Sequence, residues 1–361
     1  MSIAPAPLAS ELSVWLEANA GSLDGDAALA AEVLPRLGAG GALGAGIAPE
    51  LGGSRGDVTD GVEVIAAVSA RSLAAGFVLW GHRSYIEYLL QSPNAALREK
   101  LLPDLLAGRV AGATGLSNAM KFLSGIEELQ VSARVGPNSL ILDGKLPWVT
   151  NLRPQGFHAA AAVAQENGRG AFIASLAHDD PGLTRSADLD LIALRATNTA
   201  AVAISSVRID TGRIIHPDAN TWLSVIRPAF LGLQCGMSIG LARRALKEAR
   251  GSLGAGRHAL SESVASLAAA LTEHEHNLRE GLRSGIFQSK PAALFKIRIA
   301  LADIVAEAVR LELQGAGGRA YLTVPGAGFA RRWREAAFIP VVTPSVIQLK
   351  TALAALRSSA A

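Results

Sequence analysis

Hydrophobic positions recur at three-to-four spacing through the first third of the chain, lapse into alternation in the middle, and return to helical spacing towards the end. Residues 8–19 and 27–37 predict short amphipathic helices, followed by a glycine-rich connection over 38–56. Val58, Val62, Ile65 and Val68 fall on one stripe of a helix predicted over 57–74. Residues 77–91 predict a second, buried helix and 95–107 a third, with Gly108 as its stop signal. From about Ala113 to Pro217 the residues favour β-branched alternation and turn dipeptides. Within it, 139–142, Asp143-Gly144 and 145–150 predict a hairpin, because Asp-Gly supplies the positive φ of a two-residue turn. Residues 157–164, 171–177 and 201–209 are further predicted strands, 178–182 a turn, and no helix is expected in this segment. Beyond Asp218, helices are predicted over 222–252, 260–283, 292–313 and 344–356. Three of them are far longer than the ~11–12 residues usual in globular proteins, and long helices in succession imply a bundle.

The fold class is therefore α+β: an N-terminal helical domain (1–112), a middle β-barrel-like domain (113–217) and a C-terminal four-helix bundle (218–361). Half the residues are hydrophobic and 18% charged, which supports a large core and argues against disorder. Aromatics are only 5%, so that core is mainly aliphatic. The +3 net charge is scattered without a Lys/Arg block, and no nucleic-acid partner is expected. The single cysteine, Cys235, excludes an internal disulfide framework and a cysteine-based zinc cluster. The N-terminus has neither a basic nor an apolar signal region, and no uninterrupted apolar stretch suits a bilayer span, so a cytoplasmic protein is the expectation. No metal is expected: His274 and His276 flank Glu275, but positions i and i+2 of a helix face different ways and no third ligand is evident. Gly38 to Gly41 fails the glycine spacing of a dinucleotide loop, and Gly115 to Ala119 lacks the final glycine of a nucleophile elbow. Arg243, Arg244, Lys247 and Arg250 share one helix face, read as solvated.

Five stretches, in order, resemble the acyl-CoA dehydrogenase superfamily. Gly46-Ile47-Ala48-Pro49-Glu50-Leu51-Gly52-Gly53 is similar to that family's GIPEEYGG element, and Leu101-Leu102-Pro103-Asp104-Leu105-Leu106-Ala107-Gly108 to its YLPRLASG segment. Gly115-Leu116-Ser117-Asn118 stands where the family has ALTE. Leu142 to Asn151 resembles LNGxKxWITN, its most specific motif, and Gln314-Gly315-Ala316-Gly317-Gly318 looks like its late GGxG loop. The resemblance implies FAD between the β domain and the C-terminal helices, and an acyl-CoA or related small-molecule substrate. It also implies a homodimer or homotetramer, or a heteromeric complex, in which a neighbouring subunit completes the cofactor site. Carried over by motif, Leu116, Ser117, Trp148, Val149 and Thr150 face the flavin, while Arg257 and Gln314, Gly315, Gly317 and Gly318 belong to its ADP side. Such a cofactor needs what these residues offer: an aromatic wall from Trp148, hydrogen-bond donors from Ser117 and Thr150, and close backbone approach at the glycines.

The family's reaction removes the α proton of an acyl thioester while hydride leaves the β carbon, which demands a buried carboxylate base. The position of the usual glutamate falls on Thr343, or on Val342 with a one-residue shift, and neither can act as a base. Residues 226–234, where other members keep the base, carry no acid, and Glu87 is the remaining candidate. The continuation after Asn118 also departs from the family's EPGAGSD, which puts the acyl-CoA pocket in question. The function expected first is FAD-dependent α–β oxidation of an acyl thioester, in fatty acid metabolism; the alternatives are a flavin-dependent monooxygenase of the same fold and a non-catalytic subunit of a heteromeric dehydrogenase. No catalytic residue is assigned.

Overall fold

A computed structural model describes residues 8–123, 125–136, 139–166, 168, 170–253 and 258–358. Five helices come first: α1 Ser10–Gly25, α2 Ala30–Ala39, α3 Val58–Ser69, α4 Leu73–Leu90 and α5 Ala95–Leu106. Their starts are written locally. Asp57 accepts from Thr59 N–H at 2.7 Å while Asp60 accepts from Asp57 N–H at 2.8 Å, a reciprocal cap that starts α3. Ser72 and Asn94 cap α4 and α5 by a single side-chain bond each, accepting from Ala75 N–H and Leu97 N–H. The helix predicted to run to residue 74 thus stops at Ser69, and α4 begins independently. Almost every residue of α4 is buried, which makes it the central post of the fold.

The middle segment holds β1 Ala111–Thr114, α6 Ser117–Leu123, β2 Val131–Val135, β3 Leu140–Val149, β4 Phe157–Gln165, β5 Ala171–Ala177, β6 Leu183–Asp188, β7 Ala200–Ile209 and β8 Ile214–His216. They form one mixed sheet in the order β6-β7-β3-β2-β4-β5-β8, with β1 also parallel to β4. Two expectations fail here. Asp143-Gly144 is not a turn: β3 runs straight through it, and the irregularity is a bulge against β7 between Leu142 and Gly144. Gly144 sits at φ 144°, and any side chain there would collide with the Gln130 carbonyl. Asp143 serves the bulge by accepting the Ser206 N–H at 2.7 Å. The helix α6, too short to show a period, stands in a segment expected to be all β.

The C-terminal part comprises α7 Ala219–Gly251, α8 Ser261–Arg283, α9 Ile286–Ser289, α10 Pro291–Ala316, α11 Ala327–Phe338 and α12 Val346–Ser358. Helix α11 has no counterpart among the predicted elements. Against expectation, α7 is long and apolar enough to cross a membrane, but its apolar stretch is almost wholly buried between α3, α4, α8 and α10. At its crossing with α3 a side chain at Gly240 would strike the Ala66 carbonyl, so the two backbones meet directly. On the face read as solvated, Lys247 and Arg250 are exposed, but the other two residues are clasps: Arg243 bonds Glu63 of α3 and Glu275 of α8, and Arg244 bonds Glu17 of α1 and Glu248. Glu275 is thereby committed to Arg243, and no cluster of metal ligands exists among the described residues.

Candidate active site

Where the end of β3 meets α4, α7 and α11, the chain leaves a cavity of about 580 Å³. One wall is aromatic. Phe77 and Trp80 stack with centroids 5.5 Å apart, Trp80 meets Phe230 at 5.2 Å, and Phe338 meets Phe77 edge-on at 4.7 Å. The mouth is also apolar but open: Trp148 is 60% exposed, Ile192 87% and Val341 61%.

Thr114, Ser117, Thr150, Thr199, Thr343, Ser345 and Gln348 supply the polar lining, with Lys121 and Arg334 as its cations. The hydroxyl directions follow from the chain of partners. Thr197 donates to the Leu194 carbonyl at 2.8 Å, so it accepts from Thr199, which in turn accepts from Thr150. The Thr150 proton is therefore engaged by Thr199, and Thr150 offers the cavity a lone pair. That reverses the donor role expected for its hydroxyl. Ser117 donates to Thr343 Oγ1 at 3.0 Å, which leaves the Thr343 proton free to point into the space.

Thr343 is held from behind. Its carbonyl accepts from Gln234 Nε2 at 2.9 Å, and Gln234 Oε1 accepts from Arg298 Nε at 2.8 Å. Arg298 is fully buried, donates also to the Ile339 carbonyl at 2.6 Å, and has no partner for Nη1 among the described residues. No carboxylate is among its hydrogen-bond partners, and burial pushes its pKa below the usual guanidinium value. The same burial pushes the neighbouring Cys235 thiol up to about 12, so that cysteine is inert.

The residues expected at the site divide. Ser117, Trp148 and Thr150 come together in the cavity. Leu116 and Val149 are buried and do not line it: Val149 lies between two strand-end residues that do, and successive side chains of a strand face opposite ways. Gln314, Gly315, Gly317 and Gly318 stand at the end of α10, outside the cavity lining. A side chain at Gly315 would crowd Ser252 and Ala249 at 3.2–3.3 Å, so that glycine serves the packing of α10 on α7. Arg257 lies outside the described residues.

Glu87 is not a base for this cavity, nor a solvated charge. It is buried on α4, bonds the fully buried Arg83 at 2.9 Å and Gln91 at 2.7 Å, and does not line the space. All 31 Asp and Glu residues are among those described, and none lines the cavity. The two basic lining residues, the aromatic floor and the Gln234–Arg298 support had no separable signal in the sequence. Their helices were predicted or partly predicted, but which faces meet is a property of the assembled fold.

The helices before, the sheet between and the long helices after, with a crevice at their junction, define the acyl-CoA dehydrogenase architecture. Comparison with known proteins agrees. Residues 15–109 match the family model described as the acyl-CoA dehydrogenase N-terminal domain. Mitochondrial isovaleryl-CoA dehydrogenase of Pongo abelii is 29% identical over 191 residues, which span 51% of this chain and 44% of that relative. Butyryl-CoA dehydrogenase from Megasphaera elsdenii superposes with a TM-score of 0.75 at 18% identity, covering 96% of this chain and 94% of the other. PigA, solved with FAD and proline, superposes with a TM-score of 0.76 at 15% identity, covering 97% of each. The chain has the acyl-CoA dehydrogenase fold along nearly its whole length, and residues 15–109 carry that family's N-terminal domain.

Proposed function

We propose that the protein is an FAD-dependent oxidoreductase whose flavin ring lies in the 580 Å³ crevice, and that it oxidises its substrate without a carboxylate base. The residues present fit the ring. An exposed indole and a wall of buried aromatics suit its flat faces, while Thr150 and Thr343 offer an acceptor and a donor to its polar edge. When bound, the flavin would supply the redox chemistry, by accepting hydride or, once reduced, by reacting with dioxygen.

The observation that carries the choice between reactions is the acid-free lining. Abstracting the α proton of an acyl thioester needs a base within reach, and hydroxyl groups with pKa values far above neutrality do not supply one. Reaction with dioxygen makes no such demand, so flavin-dependent monooxygenation, with electrons delivered by a separate flavin reductase, is the function the geometry supports best. Dehydrogenation of an acyl thioester, the reaction named for the isovaleryl- and butyryl-CoA relatives, is the second reading. It rests on the fold and would need its base from outside this chain's lining. In either case the buried aromatic wall keeps water from one side of the crevice, and Arg298 and Gln234 hold Thr343 in place from behind.

Anaerobic mixing of the flavin-loaded protein with butyryl-CoA separates the two. The oxidised flavin is expected to stay yellow, and after reduction by an external flavin reductase the protein is expected to consume oxygen. Bleaching by butyryl-CoA alone would overturn the choice.

A further inference from the structure

The electrostatics of the crevice carry a statement about what enters it. Arg334 of α11 lines the space and is held by a carboxylate that does not. Asp24 of α1 is fully buried, and its Oδ1 accepts the Leu194 N–H at 3.0 Å. Its Oδ2 accepts both Arg334 Nε at 3.1 Å and Arg334 Nη2 at 2.6 Å. One edge of the guanidinium is thus fixed from behind, while Nη1 makes no hydrogen bond among the described residues and the side chain remains 41% exposed. Lys121 lines the same space, its ammonium on the half-buried Glu127. Arg298, behind Thr343, bonds no carboxylate at all. Three cations therefore stand at or just behind a largely apolar cavity that no acid lines.

A guanidinium pinned along one edge presents the remaining donors in a rigid fork, the geometry that matches a planar carboxylate, and an apolar surround strengthens the attraction. We propose that the substrate bears a free carboxylate, and that Arg334, positioned by Asp24, is the residue that selects it. This rests on the crevice being the substrate site of the oxidoreductase proposed above. It adds that the reacting molecule is an anion with an apolar or aromatic body, received in the same largely apolar crevice beside the flavin ring.

The test is calorimetric titration of the purified protein with phenylacetate and with its neutral counterpart phenylacetamide. The wild type is expected to bind the carboxylate about tenfold more tightly, the scale of one charge-assisted hydrogen bond. In the double variant Asp24→Asn/Arg334→Gln, which leaves no buried charge unpaired, that preference is expected to vanish while amide affinity stays unchanged. Arg334→Lys keeps the cation without the fork and is expected to retain only part of the preference. Equal binding of the two probes by the wild type, or a full preference in either variant, would overturn the proposal. Flavin content is read on the same samples: a carboxylate preference in protein that takes up no flavin sinks the cofactor assignment and leaves this one standing.

Discussion

Replacing Gln234 with leucine tests how the wall of the crevice is held. The side chain is fully buried and makes two bonds in opposite directions, accepting from Arg298 Nε at 2.8 Å and donating to the Thr343 carbonyl at 2.9 Å. Leucine fills similar space and makes neither. Arg298, already short of one partner at Nη1, would keep only the Ile339 carbonyl, so a buried charge loses a bond at about 2–3 kcal/mol. The orphaned Thr343 carbonyl adds about 1–2 kcal/mol. The sum, roughly 3–5 kcal/mol, is a large fraction of a domain's stability. Gln234→Glu is the control: it keeps an acceptor for Arg298 and adds the missing countercharge, against the loss of the Thr343 bond and the repulsion of two facing acceptor oxygens. Urea unfolding followed by tryptophan fluorescence reads both variants. The leucine variant within about 1 kcal/mol of wild type, or the glutamate variant less stable than leucine, would refute the reasoning.

Three further outcomes follow from the packing elsewhere in the molecule. Gly240→Ala places a methyl group against the Ala66 backbone, which cannot yield as a side chain can, and thermal unfolding should show a loss of about 1–3 kcal/mol or more. His82 is fully buried and neutral, taking the Gly112 N–H on Nδ1 at 2.9 Å and reaching the Leu105 carbonyl at 3.0 Å from Nε2; burial pulls its pKa from 6.5 to about 4. The unfolded chain therefore binds a proton that the folded chain refuses between those values. The stability from neutral His82 is complete above pH 6.5 and drains away, by roughly 3 kcal/mol, as pH falls towards 4; His82→Gln should flatten that slope in pH-dependent unfolding. Trp148→Ala removes the exposed indole at the mouth and should lower flavin retention on gel filtration, with the melting temperature little changed because the ring is largely solvated.

The long-period features of the fold were legible because periodicity is written over many residues. The helices over 222–252, 260–283 and 292–313 correspond to α7, α8 and α10, and the order of helical, β and helical segments holds throughout. Short-range signals misled where a tertiary contact decides. Asp143-Gly144 has the residues of a hairpin turn, yet the same positive φ makes a bulge when β7 pairs across it. Arg243 and Glu87 look like solvated charges on their own helices, and only the packing of α7 on α3 and α8, and the burial of α4, commit them to ion pairs. Ser117, Trp148 and Thr150, singled out by motif, all line the crevice, and so does Thr343, where the family's usual glutamate would stand. Arg334, Asp24, Gln234 and Arg298 were not found. They meet across separations of 64 to 310 residues, and no local pattern encodes that.

A crystal structure of the FAD-loaded protein tests the central claim most directly. The account predicts the isoalloxazine seated between Trp148 and the helices α7 and α11, with Thr150 and Thr343 at its polar edge and no carboxylate side chain within about 4 Å of N5. A ring bound elsewhere, or an Asp or Glu brought to that distance by the loaded assembly, would contradict it.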